Sequence, residues 1–201
     1  MERVFRAAVV LGIALLVACG ADRSDPGSAD PPAMDDIASL IPAGAEVLAE
    51  SRGDINDDGV PDLVLALEHV PAEGGASGPV RSLLLMVGSP DGGLRCAARN
   101  DRIIPCATCG GALGEPSIHL IAGDGAFTLV IEGGTGSLWS NEYAFRHEGD
   151  NRWTLESIIE TTHSRTGSEN TRRARTSDEF GQVEFSAFDP RAFEEPGLDQ
   201  E

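Results

Sequence analysis

Residues 117–132 read SIHLIAGDGAFTLVIE, and this stretch decides the fold class of the chain. Two short runs rich in apolar and β-branched residues flank Gly123-Asp124-Gly125. An Asp-Gly turn between two such runs is a strong short-range signal for a β-hairpin, because glycine allows the positive φ angles that tight hairpin turns need. The stretch therefore predicts two antiparallel strands, at 117–122 and 126–132.

The same signals recur along the chain. Two further turns predict hairpins, at Asp91-Gly92-Gly93 and at Glu148-Gly149-Asp150-Asn151. After the second of these turns, the polar, arginine-rich residues 164–179 are predicted as a long loop or a marginal helix. The other predicted strands lie at 45–52, 62–69, 80–88, 93–98, 138–147, 152–162 and 181–188. A series of hairpins predicts a mainly β chain, with a single antiparallel β domain over residues 34–190 that folds as a meander.

The N-terminal residues predict export. Two arginines precede an apolar run at 7–18, which is shorter than the roughly 20 residues of a membrane-spanning helix and has the layout of a secretory signal. Leu16-Val17-Ala18-Cys19 resembles the lipobox of bacterial lipoproteins, in which the cysteine is acylated and the chain is cut before it. The resemblance implies a signal peptide at 1–18 and a lipid anchor on Cys19 in the cell envelope. Gly20, where an aspartate would favour the inner membrane, implies the outer membrane of a Gram-negative bacterium. The alternatives are a plain signal peptide with an incidental cysteine and a buried helix.

The segments at either end of the β domain are polar. Residues 19–33 are dominated by Pro, Gly, Ser and Asp, a composition typical of a flexible tether. Residues 34–41 predict a short helix, because prolines stand before it and directly after it. Residues 191–201 predict an acidic tail.

The charge balance excludes several classes of function. The chain has 33 acidic and 15 basic residues, and its formal net charge is −18. Nucleic acids and anionic lipids require basic surfaces, so neither is expected as a partner. Every basic residue is an arginine, and lysine-dependent chemistry such as a Schiff base or a phosphate-loop lysine is therefore excluded.

The stretch GDINDDGVPDL, residues 53–63, predicts a calcium loop. Alternate side chains followed by a glycine can converge on one cage of oxygens, which calcium prefers. Leu65 stands where an EF-hand has its glutamate, and a strand follows the loop, so this is not an EF-hand. The alternative is a metal-free turn of Asp, Asn and Gly. The candidate ligands are the side chains of Asp54, Asn56, Asp58 and Asp62 and the carbonyl group of Val60.

The loop resembles the D-x-[DN]-x-D-G-x-x-D-L loop of FG-GAP/VCBS-type repeats, although only one copy is present and a propeller would repeat it. The order GDINDDGVPDLVLALE, RSLLLMV, CATCGGALGEP and GGTGSLWSNEYAFRH with NRWTLESI is similar to a family of uncharacterised bacterial lipoproteins, over roughly residues 45–190. This resemblance implies a calcium-type loop, a CxxCGG segment and an aromatic hairpin, and it implies no known activity.

Three cysteines remain once Cys19 is acylated, and their pairing is open. A disulfide could join Cys106 to Cys109, or join Cys96 to one of them. A thioredoxin-like redox site would need a helix after the first cysteine, but Pro105 precedes the motif and glycines follow it. A zinc site would need a fourth ligand, for which only His119 lies near in sequence.

The aromatic hairpin places one stripe of side chains on one face of a strand at 138–147: Trp139, Asn141, Tyr143 and Phe145. Such a stripe packs into a core or offers a stacking platform for a sugar or peptide. The four histidines are scattered, and no nucleophile motif is present. The sequence therefore favours a non-enzymatic, calcium-stabilised binding or structural module. Its alternatives are an envelope enzyme, thiol-active or hydrolytic, and a glycan-binding accessory protein.

Overall fold

The computed structural model describes residue 41 and residues 43–69, 79–164 and 170–193. Nine antiparallel strands form two sheets, and in each sheet the strands are neighbours in chain order. The first sheet holds β1 (Glu46–Gly53), β2 (Asp62–His69), β3 (Val80–Gly88) and β4 (Leu94–Asn100). The second holds β5 (Ser117–Gly123), β6 (Ala126–Gly134), β7 (Ser137–His147), β8 (Trp153–Ser164) and β9 (Asn170–Thr176). The predicted mainly β, antiparallel fold is confirmed, and the meander divides into two sheets after β4.

Helical structure is confined to short pieces in the described ranges. A single-turn helix, α1 (Ser177–Phe180), follows β9, and two 3-10 turns lie at Gly111–Leu113 and Pro190–Ala192. All three predicted hairpins are confirmed, at β3–β4, β5–β6 and β7–β8. Asp124 and Asn151 adopt positive φ angles in two of these turns, a conformation that Asp and Asn tolerate better than most residues.

The two sheets share one hydrophobic core. Strand β6 alternates between the core and the outer surface, so that Phe127, Leu129 and Ile131 point inward. Phe127 stacks on Phe145 of β7 with a distance of 5.0 Å between ring centroids. Edge-to-face contacts with Phe185 extend the aromatic cluster. Aromatic pairs in such geometries add about 0.5–1.5 kcal/mol each to the stability that area burial provides.

Strands β2 and β3 are buried on both faces. Their inward side chains join the shared core, and their outward side chains form a second group of buried residues, which we call the outer leucine cluster. Its members are Leu63, Leu65, Leu67, Leu84 and Met86. The continuous apolar runs of β2 and β3 follow from burial on two faces.

The predicted strand at 181–188 is wrong. This segment makes only an isolated bridge, between Glu184 and Thr154, and turns twice so that Phe185 and Phe188 enter the core. Asn100 fixes the turn, because its side-chain amide donates to the carbonyl oxygens of Phe185 (2.5 Å) and Phe188 (2.8 Å). The apolar residues of this segment therefore fill the core from a turn and do not form a strand.

The prediction of a loop or helix over 164–179 is also wrong in part. Residues 170–176 form β9, which pairs with β8 at the edge of the second sheet. Six of its seven residues are exposed and only Arg175 is buried, so this edge strand lacks the apolar alternation that marks a strand in sequence. The short helix α1 follows it, with a capping box between Thr176 and Glu179.

Several sequence predictions lie outside the described residues. They are the signal peptide at 1–18, the tether at 19–33, the helix at 34–41 apart from Ile41, and the tail beyond residue 193. In the ranges that are described, no helix has both the length and the apolarity needed to cross a membrane.

Candidate functional site

The predicted calcium loop occupies residues 54–61 and joins β1 to β2 at one end of the first sheet. Asp57 and Gly59 have φ angles of 60° and 82°. Positive φ is accessible to glycine without strain and to aspartate at modest cost. These two residues allow the chain to curl tightly, so that alternate side chains point toward the same side.

The side-chain oxygens of Asp54, Asn56 and Asp58 converge inside this curl. The amide nitrogen of Asp58 donates to Oδ1 of Asp54 and to Oδ1 of Asn56, each at 3.2 Å. Oδ2 of Asp54 accepts from the amide of Gly59 at 2.8 Å, and Oδ1 of Asp58 accepts from the amide of Val60 at 2.8 Å. The loop is thus organised around its own acidic side chains.

Asp62 has a different environment from the other candidate ligands. Its side chain is buried, with 1% of its surface exposed. Oδ2 accepts from the amide of Ile55 at 2.9 Å, and Oδ1 accepts from the amide of Gly88 at 2.8 Å. Burial raises the pKa of Asp62 above its ordinary value, although the two amides oppose that shift. The carboxylate therefore fastens the loop to the end of β3.

The loop also contacts the second sheet. Ile55 is completely buried in the shared core, and its carbonyl oxygen accepts a 2.9 Å hydrogen bond from Nε1 of Trp153 on β8. The amide of Gly125, in the β5–β6 turn, donates to the carbonyl oxygen of Asp54 at 3.1 Å. The loop is consequently a junction between the two sheets.

The chemistry of the donor set fits calcium at part of the predicted site. Asp54, Asn56 and Asp58 offer only oxygen donors, which suit a hard cation. Asp62 can contribute only through lone pairs that its two amide donors leave free, since each carboxylate oxygen accepts more than one hydrogen bond. Val60 lies in the same turn and is half-buried. Among the described His, Cys, Asp and Glu side chains, no three form a metal-binding group.

The cysteine motif closes on itself. Cys106 and Cys109 form a disulfide, and Cys96 on β4 is a free, exposed thiol. The residues after Cys109 form a 3-10 turn at Gly111–Leu113 and no α-helix, so the helix dipole that activates a thioredoxin-type cysteine is missing here. Although the residue is exposed, neighbouring atoms partly desolvate its sulfur, and this raises the pKa of the Cys96 thiol above its ordinary value.

Arg81 fastens the loop that carries the disulfide, a role that the sequence did not indicate. The arginine side chain is buried, and it donates to the carbonyl oxygen of Pro105 at 3.2 Å. It also pairs with Glu68 at 2.6 Å and with Glu115. A buried arginine with three partners is costly to disturb, because removing a partner leaves charge without compensation.

The aromatic stripe of β7 belongs mainly to the core. Tyr143 and Phe145 are buried, and they cannot form an open platform. Trp139 is half-buried and lies over Gly133 of the neighbouring strand, where a Cβ atom would overlap its indole ring. One edge of Trp139 borders an open groove of about 490 Å³, whose rim includes Leu113, Leu138 and His163.

The histidines occupy unrelated positions. His119 pairs with Glu132 on the exposed face of the second sheet, with 3.5 Å between nitrogen and oxygen. His147 packs on Trp153 with 5.0 Å between ring centroids. His69 ends β2, and His163 stands near the end of β8.

Comparison with known proteins finds no relative of the chain. No family model matches the chain, and neither a curated protein nor a solved structure matches it.

Proposed function

We propose that this protein is a lipid-anchored module of the bacterial cell envelope, held at the outer membrane through acylated Cys19, with a β domain stabilised by calcium. The role is binding or structural and not enzymatic. The lipobox at residues 16–19 supports the lipid anchor, which we call the anchoring half of the proposal. The loop at residues 54–62 supports the bound calcium, which we call the calcium half.

One observation carries the calcium half. The loop that gathers Asp54, Asn56 and Asp58 also holds Ile55 in the shared core. It contacts the first sheet where Asp62 accepts from the amide of Gly88, and the second sheet where the carbonyl of Ile55 accepts from Trp153. A cation bound at the three side chains would offset the repulsion between the carboxylates. Because the loop joins the sheets, that local stabilisation would be felt by the whole domain.

Thermal unfolding tests the calcium half. Calcium stabilises a protein by mass action once its concentration exceeds the dissociation constant, and a loop without a bidentate glutamate is expected to bind at about 10⁻⁴–10⁻³ M, as extracellular modules do. We expect millimolar calcium to raise the melting temperature, and magnesium to raise it less. Asp58→Ala should abolish the rise, whereas Asp178→Ala, on α1, should retain it. An unchanged melting temperature in the wild-type protein would refute this half.

Mass spectrometry of the N-terminus tests the anchoring half. The mature protein should begin at Cys19 and carry acyl chains, and it should fractionate with outer membranes. More than one chain is needed for stable anchoring, because a single chain binds only reversibly. Cys19→Ser should yield an uncleaved or unacylated product, while Cys96→Ser should be processed normally.

A second candidate function is glycan binding at the groove beside Trp139. The groove places Trp139 beside polar residues such as Ser140 and Thr161, and ligand sites in general combine aromatic side chains with a few polar groups. We expect Trp139→Ala to abolish retention on purified peptidoglycan or envelope polysaccharide, while Trp139→Phe retains part of it. No retention of the wild-type protein on either glycan would refute this candidate.

A further inference from the structure

The outer leucine cluster lies on the face of the first sheet that points away from the shared core. Its five members are between 0 and 6% exposed. An exposed sheet face of this kind would present a continuous apolar surface to water, which soluble proteins rarely do. Something covers this face.

Few hydrophobic residues of the described ranges pack against this face. Beyond the cluster itself, the partly buried hydrophobic residues that pack against it are Ile41 and Leu94. Leu94 begins β4 at the margin of the sheet. Ile41 stands before β1 and is the last residue of the segment predicted as a short helix, so the chain leading into the domain already touches the cluster.

The sequence before Ile41 has the pattern needed to continue this contact. Residues 34–41 read MDDIASLI. Met34, Ile37, Leu40 and Ile41 follow a spacing of three, three and one, which places them on one face of a helix. Asp35, Asp36 and Ser39 occupy the other face. A short helix with its apolar face toward the cluster would bury both surfaces at once.

Other segments outside the described ranges fit the face less well. Residues 70–78 (VPAEGGASG), 165–169 (RTGSE) and 194–201 (EEPGLDQE) each contain at most one large apolar residue. The apolar residues 7–18 belong to the predicted signal peptide and would be absent from the mature protein.

We propose that residues 34–41 fold back as a helix over the outer leucine cluster, with Ile37 and Leu40 as the anchoring side chains and Ile41 as the contact already seen. The proposal does not depend on calcium, but it rests on the proposed export, because removal of the signal peptide is what leaves residues 7–18 out of the mature protein. In this arrangement residues 34–41 are part of the folded domain. The tether that precedes them then leaves from the face of the first sheet that carries the outer leucine cluster.

Thiol labelling of the mature protein in detergent tests this placement. In a Cys96→Ser background, Leu40→Cys reports on the apolar face of the segment and Ser39→Cys, its neighbour in sequence, reports on the polar face. We expect Leu40→Cys to react at least about tenfold more slowly, because a thiol packed in a folded region is labelled only when the region opens. Equal rates for the two cysteines would overturn the proposal.

A reporter on the sheet provides the second readout. Met86→Cys should be protected from labelling while residues 34–41 are wild type. It should become reactive when Leu40→Asp is added, but not when Ser39→Asp is added. Circular dichroism of each variant confirms that the β domain is still folded. If Met86→Cys becomes reactive only on dilution, a second copy covers the face; if it stays protected in Leu40→Asp, another segment does. Either of these two outcomes overturns the proposal.

Discussion

The indole Nε1 of Trp153 donates a 2.9 Å hydrogen bond to the carbonyl oxygen of Ile55, across 98 residues of sequence and from one sheet to the other. Both residues are at most 1% exposed. The bond fixes the second residue of the predicted calcium loop against β8. Loop geometry and sheet packing are thereby coupled, so a change at Trp153 should be felt at the loop.

Trp153→Phe should destabilise the domain and weaken its response to calcium. Phenylalanine retains most of the packing but leaves the buried carbonyl of Ile55 without its donor, which costs about 1–3 kcal/mol. Chemical denaturation with and without calcium measures both effects. Trp139→Phe is the matched control, since Trp139 packs over Gly133 of the second sheet and lines the groove beside Leu113. An equal response to calcium in both variants would show that the coupling is absent.

Asp62→Asn should separate the two roles of acidic residues in the loop. An amide can accept from only one of the two backbone donors, Ile55 and Gly88, because its nitrogen is itself a donor. One buried amide then loses its partner, at a cost of about 1–3 kcal/mol. We expect this loss in calcium-free buffer, measured by urea unfolding. Asp58→Asn, in the exposed part of the loop, should cost little without calcium and should reduce the stabilisation that calcium provides.

Gly133→Ala should disturb Trp139, because the new Cβ atom would occupy the space of the indole ring. Overpacking of this kind costs about 1–3 kcal/mol. The variant should show a lower melting temperature and a red-shifted tryptophan fluorescence. Gly136→Ala is the control: nothing lies within 4 Å of the corresponding position, and its melting temperature should match that of the wild type.

Thiol titration should find one reactive cysteine in the folded mature protein. Cys106 and Cys109 are bonded to each other, and Cys19 is acylated in our proposal. The remaining Cys96 should react slowly at neutral pH, because partial desolvation of its sulfur raises the pKa of the thiol. Cys96→Ser should leave no titratable thiol. A rapid reaction that survives this substitution would favour the thiol-active enzyme that the sequence left open.

Asp101 should make the domain more stable above its ordinary pKa of 3.8 than below it. Burial alone would raise the pKa, but hydrogen bonds from Ser82 and Arg99, both 2.6 Å long, outweigh burial and lower it. The ionised carboxylate therefore stabilises the folded state, and this contribution is lost as the pH falls through the lowered value. The difference in unfolding free energy between the wild type and Asp101→Asn should be constant near neutral pH and should shrink below 3.8.

The sequence predicted the strands that have one or both faces buried. It failed for a strand whose residues are polar and for an apolar segment that is not a strand. Strand β6 alternates and β2 is continuously apolar, and both patterns follow from which faces meet the core. Strand β9 was missed because an edge strand exposed to solvent carries polar residues. The segment with Phe185 and Phe188 was misassigned because a turn that plugs a core has the composition of a strand.

The candidate loop was predictable and its setting was not. The spacing of Asp54, Asn56, Asp58 and Gly59 is a local pattern, and local patterns survive in sequence. The hydrogen bond between Trp153 and the carbonyl of Ile55 joins residues far apart in the chain. The hydrogen bond from the amide of Gly88 to Asp62 depends on the register between strands. Neither hydrogen bond produces a local pattern that could be recognised in a single sequence.

The arginine-rich edge strand has a consequence for behaviour at high concentration. An edge strand offers unpaired backbone groups that can recruit the edge of another molecule and start aggregation. Strand β9 reads NTRRART, and Arg172 and Arg173 are exposed on it. Long charged side chains on an edge strand are one of the devices by which natural sheets avoid pairing edge to edge. In a chain with 33 acidic and 15 basic residues, the arginines of β9 thus stand at the edge of the second sheet, where they hinder the addition of another strand.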